Sequence, residues 1–129
     1  MMTRTAKDEV QPFSSDRNLH IVAVTACATG VAHTYMAAEQ LEKLAKTYRF
    51  SIKIETQGVL GLKNELNEKD IFDAELTIIA SDITINNPTR FSGCRVLNVC
   101  INSLLLKPSE VISAIRKSLN LPRGNVIDL

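Results

Sequence analysis

The chain has no tryptophan, and only two tyrosines and four phenylalanines among its 129 residues. That scarcity removes the aromatic platforms on which single-stranded nucleic acids stack. No apolar run approaches the roughly 18 residues that cross a bilayer. The first 18 residues, MMTRTAKDEVQPFSSDRN, lack the apolar stretch of a signal peptide. Neither sign of charge dominates: 15 Lys and Arg against 14 Asp and Glu leave a formal net charge of +1, too weak a field to gather nucleic acid or anionic lipid. Three cysteines, Cys27, Cys94 and Cys100, make no CxxC pair, and an odd number argues against a disulfide framework. The expectation is a cytosolic protein with no nucleic-acid partner and no direct membrane insertion.

What is present fits one domain with an ordinary core, since 45% of the residues are apolar. Residues 1–18 are polar and aperiodic and read as a flexible N-terminal extension. From Leu19 the pattern changes: LHIVAVTA is the short, β-branched run of a strand buried on both faces. Val31, Tyr35, Ala38, Leu41, Leu44, Ala45 and Tyr48 then recur at helical spacing. SIKIETQG alternates and stops at a glycine, as a second strand would. A short helix is expected near Asn67 to Phe72 with Asn67 as its N-cap. ELTIIAS and CRVLNVC supply the third and fourth strands, separated by the loop DITINNPTRFSG. KPSEVISAIRKSL is a last helix with Pro108 at its first position. The domain therefore spans 19–120, and LPRGNVIDL, 121–129, is a C-terminal tail interrupted by Pro122 and Gly124. Alternating strands and helices predict an α/β fold with a parallel sheet, which binds ligands beyond the C-terminal ends of its strands.

Cys27 stands at such an end, after the first strand and ahead of the first helix. The intervening turn, CATGVA, is made of small residues, and Gly30 lets the backbone approach a ligand closely. Backbone N–H groups of the turn and of the first helical turn can converge on one point, where the helix N-terminus adds positive potential. Such a point favours an anion: the Cys27 thiolate, or a phosphoryl group carried on its sulfur. The same donors suit the charge that develops in an in-line phosphoryl transfer. Against this, an unreactive cysteine is often just a small buried hydrophobe, the reading that Cys94 and Cys100 take within apolar strand patterns. Thr29 and Thr34 carry hydroxyls suited to phosphate oxygens and equally suited to capping. His33, in the first helical turn, can donate to a phosphoryl oxygen or simply hold the loop.

Other cysteine chemistries lack their equipment. Tyrosine-phosphatase-like loops place an Arg after Cys and five residues, to clamp phosphate with its fork. Counting from Cys27, that position is His33, and no Arg stands between Cys27 and Tyr48. His20, Cys27 and His33 follow no zinc spacing, and a dithiol role lacks its second cysteine.

VTACATGVAHTYMAAEQLE, IKIETQGVLGLKNELNEKDI and the DI…RFSG segment together make the chain resemble the fructose-type enzyme IIB components of the bacterial phosphoenolpyruvate-dependent sugar phosphotransferase system (PTS). The resemblance runs from about Ile21 to about Leu119. It implies a small four-stranded parallel sheet of order 2-1-3-4 with helices on both faces. It implies that Cys27 becomes phosphocysteine, taking phosphate from a phosphohistidine of enzyme IIA. Fructose or a fructose-like sugar, carried by the membrane-embedded enzyme IIC, then receives it. No metal or organic cofactor is required. The site would lie at the cytoplasmic side of the bacterial inner membrane, with Ala28, Thr29, Gly30, Val31, Ala32, His33 and Thr34 as the phosphate-binding loop. Ala28 departs from the family, which usually has Pro there. Ala restores an N–H beside the sulfur and loosens the turn by about 0.4–1 kcal/mol. Cys94 stands where many relatives have Lys. Gln57 of ETQG lies on the same edge as Cys27, as does Glu55; the alternative is a plain turn with Gly58 left-handed. Asp82 and Arg90 follow the third strand and form a far wall, where Arg90 suits a phosphate, an acidic partner surface or mere solvation. Two other functions stay open: a cysteine phosphatase, and a non-catalytic regulatory module of the IIB type in which Cys27 is only buried.

Overall fold

A computed structural model describes residues 19–27, 31–58 and 61–129. Along these the chain runs β1 (His20–Ala26), α1 (Val31–Tyr48), β2 (Ser51–Gly58), β3 (Gly61–Lys63), α2 (Glu68–Asp73), β4 (Leu76–Ser81), a 3-10 turn (Pro88–Phe91), β5 (Val96–Val99), α3 (Ile101–Leu106), α4 (Pro108–Leu119) and β6 (Val126–Asp128). The proposed extension, 1–18, lies outside the described residues.

The sheet has the order β3-β2-β1-β4-β5-β6. All pairings are parallel except β2 with β3. The inner four strands, β2-β1-β4-β5, are the 2-1-3-4 arrangement expected from the resemblance. Two more strands extend it at the edges, so the sheet has six strands rather than four, and β6 lies in the segment read as a tail. Each edge strand is three residues long, too short for an alternating pattern to register in sequence. Lys63 and the exposed Val126 mark them as solvated edges.

β1 is central and buried on both faces, as its continuous apolar run predicts. Ile21, Ala23 and Cys27 belong to the core beneath α1, α3 and α4, with Leu41, Leu44, Ile101, Leu104, Val111 and Ile115. Val22, Val24 and Ala26 face the opposite core, closed by Leu66, Ile71, Ile85 and Phe91. Burying a Leu or Ile side chain contributes about 1.5–3 kcal/mol, so the helices are held by these two layers. The α1 stripe is rotated slightly from the sequence reading, because Thr34 and Ala37 are buried while Tyr35 is only partly so. At its end Arg49 takes a left-handed φ of 62°. Phe50 then donates its N–H to the Ala45 carbonyl at 3.1 Å, which closes the helix.

Asn67 caps α2 as expected. Its Oδ1 accepts the Asp70 N–H at 2.7 Å, and Asp70 Oδ2 accepts the Asn67 N–H at 3.0 Å, satisfying two otherwise orphaned donors. That backbone donor, together with Lys53 at 3.0 Å, holds the Asp70 carboxyl below the usual range. Pro108 opens α4 as expected. The six-residue α3 that precedes it is an addition to the sequence reading.

Candidate functional site

The register carries Cys27 to the C-terminal edge of the sheet. Ala26 is opposite Gln57 of β2 and Ser81 of β4, so the next residues along, Cys27, Gly58 and Asp82, meet at one end. Cys27 is only 3% exposed, yet it lines a cleft of about 280 Å³ with Gln57, Gly58, Gly61, Leu62, Ile83, Thr84 and Asn86. Its thiol donates to Asp82 Oδ2 at 3.4 Å. Asp82 is held by its own N–H, 3.4 Å from the Ala26 carbonyl, and by the turn that Ser81 Oγ makes with the N–H and carbonyl of Ile83.

The cleft's other wall is fixed by a buried ion pair. Glu55 is 0% exposed and receives Arg90 Nη1 on Oε1 at 2.8 Å and Nη2 on Oε2 at 2.7 Å. Gln57 Nε2 adds a bond to Oε2 at 2.7 Å, and the Leu66 N–H one to Oε1 at 2.9 Å. Burial pushes the Glu55 carboxyl up, but these donors, the Arg90 guanidinium foremost, hold it below the ordinary range, and the carboxylate in turn raises Arg90. Gln57 uses its oxygen to accept the Asn86 N–H at 2.8 Å. Arg90 Nε donates to the Asn87 carbonyl at 3.0 Å. The loop after β4 is thereby fastened to β2, and both Gln57 and Asn86 are set in the cleft wall.

Cys27, Gln57 and Asp82 are brought together. Arg90 is not a free rim cation, because its guanidinium fork is committed to Glu55. The turn reading of ETQG gives way to strand: Gly58 ends β2 paired with Gly61, and its φ is not positive. Thr34 sits in the first turn of α1, 1% exposed, and Oγ1 finds no hydrogen-bond partner among the described residues. A Cβ placed on Gly58 would lie 3.9 Å from that oxygen, so the hydroxyl is next to the cleft's edge. Ala32 and His33 are exposed on the same turn, and Val31 begins the helix. Ala28, Thr29 and Gly30 lie outside the described residues.

Sequence reasoning missed Asn86, Thr84, Ile83 and Leu62 as lining residues, and missed the Glu55–Arg90 pair. The pair left one signal: a glutamate at a buried position of a strand requires an internal partner. Cys94 and Cys100 are also placed differently, both outside β5. Cys100 is exposed at the start of α3, where the Ser103 hydroxyl 3.1 Å away and the Ser103 N–H hold its thiol below the usual range. Among the described residues, no three His, Cys, Asp or Glu side chains gather as a metal would need.

A family model described as the lactose/cellobiose-specific IIB subunit of the PTS matches residues 22–114. A protein of Escherichia coli K12 named PTS system fructose-like EIIB component 3 is 46% identical over 104 residues, covering 81% of this chain and 92% of that one. The chain belongs to the PTS IIB family. Its relatives of known structure include an Escherichia coli protein described as a predicted fructose-specific IIB, superposing with a TM-score of 0.82 at 44% identity over 86% of this chain and 98% of that one. A Bacillus subtilis fructose-specific EIIABC component is 45% identical over 92 residues, which is 71% of this chain but 14% of that longer protein. The fold described above is thus that of a IIB component, a module of the sugar phosphotransferase system.

Proposed function

We propose that this IIB component is a phosphoryl carrier whose acceptor is Cys27, taking phosphate from a phosphohistidine of enzyme IIA and passing it to fructose or a fructose-like sugar handled by enzyme IIC. One observation carries the reading: the Cys27 sulfur opens onto a cleft at the C-terminal end of the central strand, four residues before α1 begins. In the first transfer the sulfur attacks phosphorus in line as the phosphorus–nitrogen bond to the imidazole breaks. In the second a sugar oxygen attacks and the sulfur–phosphorus bond breaks. Gln57 and Asn86 are neutral groups of the wall, and the N–H groups of residues 28 to 33, with the Thr29 and Thr34 hydroxyls, are the donors assigned to the phosphoryl oxygens. The partner assignment draws on the names of relatives: an EIIABC component joins A, B and C parts in one chain, and an EIIB'BC component joins B and C parts. Exposed Leu62 and Ile83 at the cleft suit docking of such a protein partner. No helix among the described residues is long and apolar enough to cross a membrane, and we place the transfers at the cytoplasmic face.

A phosphatase fits less well. Among the described residues lining the cleft there is no Arg or Lys, and Arg90 is engaged elsewhere. The test is incubation with phosphoenolpyruvate, the general phosphotransferase proteins and the cognate IIA. One label per chain is expected, lost in Cys27→Ser. Label retained by that variant would overturn the assignment, and turnover of para-nitrophenyl phosphate without any partner would revive the phosphatase.

A further inference from the structure

We propose that Asp82 takes the proton of the Cys27 thiol as the sulfur acquires its phosphoryl group, and returns it when that group leaves. The proposal rests on the phosphocysteine reading and adds a second catalytic residue to it. Cys27 is 3% exposed and its thiol donates to Asp82 Oδ2 across 3.4 Å. A thiol this buried needs a local acceptor for its proton, and a carboxylate is in contact with it. Asp82 is itself exposed and also lines the neighbouring cleft of about 490 Å³, beside Cys100 and Asp128, so a proton received from the sulfur side remains exchangeable. Those two groups line that cleft with Asp82 from the start of α3 and from β6, and Cys27 meets Asp82 from the other side. The β2 wall presents neutral Gln57 instead.

Charge argues for the timing. An incoming phosphoryl dianion beside an ionised carboxylate is a like-charge pair, and such pairs raise the carboxyl's affinity for a proton. Asp82 thus becomes a better base at the moment the sulfur must lose its proton. In the first step the S–P bond forms, the P–N bond breaks with its electron pair going to the imidazole, a buffer acid of the bulk solvent protonates that nitrogen and leaves as its conjugate base, and the thiol proton rests on Asp82. In the second the sugar oxygen bonds to phosphorus, the S–P pair returns to sulfur, Asp82 reprotonates it, and the sugar hydroxyl's proton passes to water.

The experiment is single-turnover labelling of wild type, Asp82→Asn and Asp82→Glu from phosphorylated IIA across pH. Asp82→Asn is expected to be slower by about tenfold or more near pH 6.5. The deficit should shrink as pH rises and hydroxide can take the thiol proton in place of Asp82, and Asp82→Glu should recover much of the rate. Equal or faster labelling of Asp82→Asn near pH 6.5, or a loss that does not change with pH, overturns the proposal alone. Infrared difference spectra of wild type, free against phosphorylated, should gain a protonated-carboxyl band that Asp82→Asn lacks. Its absence from wild type also overturns the proposal, and that measurement stands if the variant fails to fold. Wild type that takes no label, or Cys27→Ser that keeps it, overturns the carrier reading and this proposal together.

Discussion

Arg90→Ala isolates the contribution of the buried pair that sets the cleft wall. Glu55 is fully buried, and the Arg90 side chain is 19% exposed, so solvent screens the pair little. The substitution deletes two charge-assisted bonds and leaves a carboxylate with only the Gln57 amide and the Leu66 N–H. Removing one partner of a buried pair costs about 3–5 kcal/mol. With two donors remaining, the lower end applies, about 3 kcal/mol at pH 7. For an m-value of about 1.5 kcal/mol/M in urea, the unfolding midpoint falls by about 2 M. The pH dependence has a definite sign. In wild type the folded Glu55 carboxyl lies below its unfolded value, so its stabilisation is present above about pH 4.3 and is lost as pH falls through the folded value. In the variant burial acts without the guanidinium and moves the carboxyl upward, so the folded variant accepts a proton and gains relative stability as pH falls. The stability gap between the two proteins therefore narrows in acid. Urea titrations at pH 7 and at about pH 4 measure it. A gap under about 1 kcal/mol at neutral pH, or one unchanged between the two, would refute the assignment of Glu55 as an ionised buried partner.

Thr34→Val separates packing from ligand binding at the start of α1. Its hydroxyl is buried with no partner among the described residues, so the isosteric apolar replacement should be neutral or stabilising by up to about 1 kcal/mol, while labelling of Cys27 by phosphorylated IIA slows. A loss of stability with labelling unchanged would make Thr34 purely structural. Asn67→Ala removes one arm of the α2 capping box and should cost about 1 kcal/mol in a urea titration, with Cys27 labelling unaltered because α2 packs on the far end of the sheet, beside Lys53.

The four inner strands and the long helices were legible because their signals are long and redundant. β1 is a continuous apolar run buried on both faces, α1 repeats its stripe over 18 residues, and Pro108 and Asn67 mark helix starts by backbone chemistry that tertiary context rarely overrides. The short edge strands carry no such redundancy: three residues such as GLK or VID cannot distinguish strand from loop, and β6 exists because β5 offers unpaired backbone groups to it. At the site, Cys27 was visible because one residue's position between strand and helix has a local physical meaning. Arg90 was misread because its role depends on a partner 35 positions away. A guanidinium on a polar loop looks free until the register of β2 and the course of the loop after β4 bring Glu55 beneath it. Asn86 has no local signature at all, since its backbone N–H matters more than its side chain.

The commitment of Arg90 to Glu55 bears on why this cleft suits a carrier better than a phosphatase. A carrier must release what it accepts, so binding energy that is not specific to the transition state delays the second transfer. A hydrogen bond to a charged donor contributes about 1.5–3 kcal/mol against about 1 for a neutral one. A bidentate guanidinium in place of two neutral donors would therefore deepen the phosphoryl well by about 1–4 kcal/mol, which corresponds to about five- to nearly a thousandfold in rate if none of it survives in the transition state. The described wall instead presents Gln57, Asn86 and Thr84, all uncharged, with a single carboxylate against the sulfur. On the carrier reading, an uncharged wall would leave the phosphoryl group free to move on. The Arg90 guanidinium spends both branches on a buried glutamate, where it fastens the loop after β4 to β2.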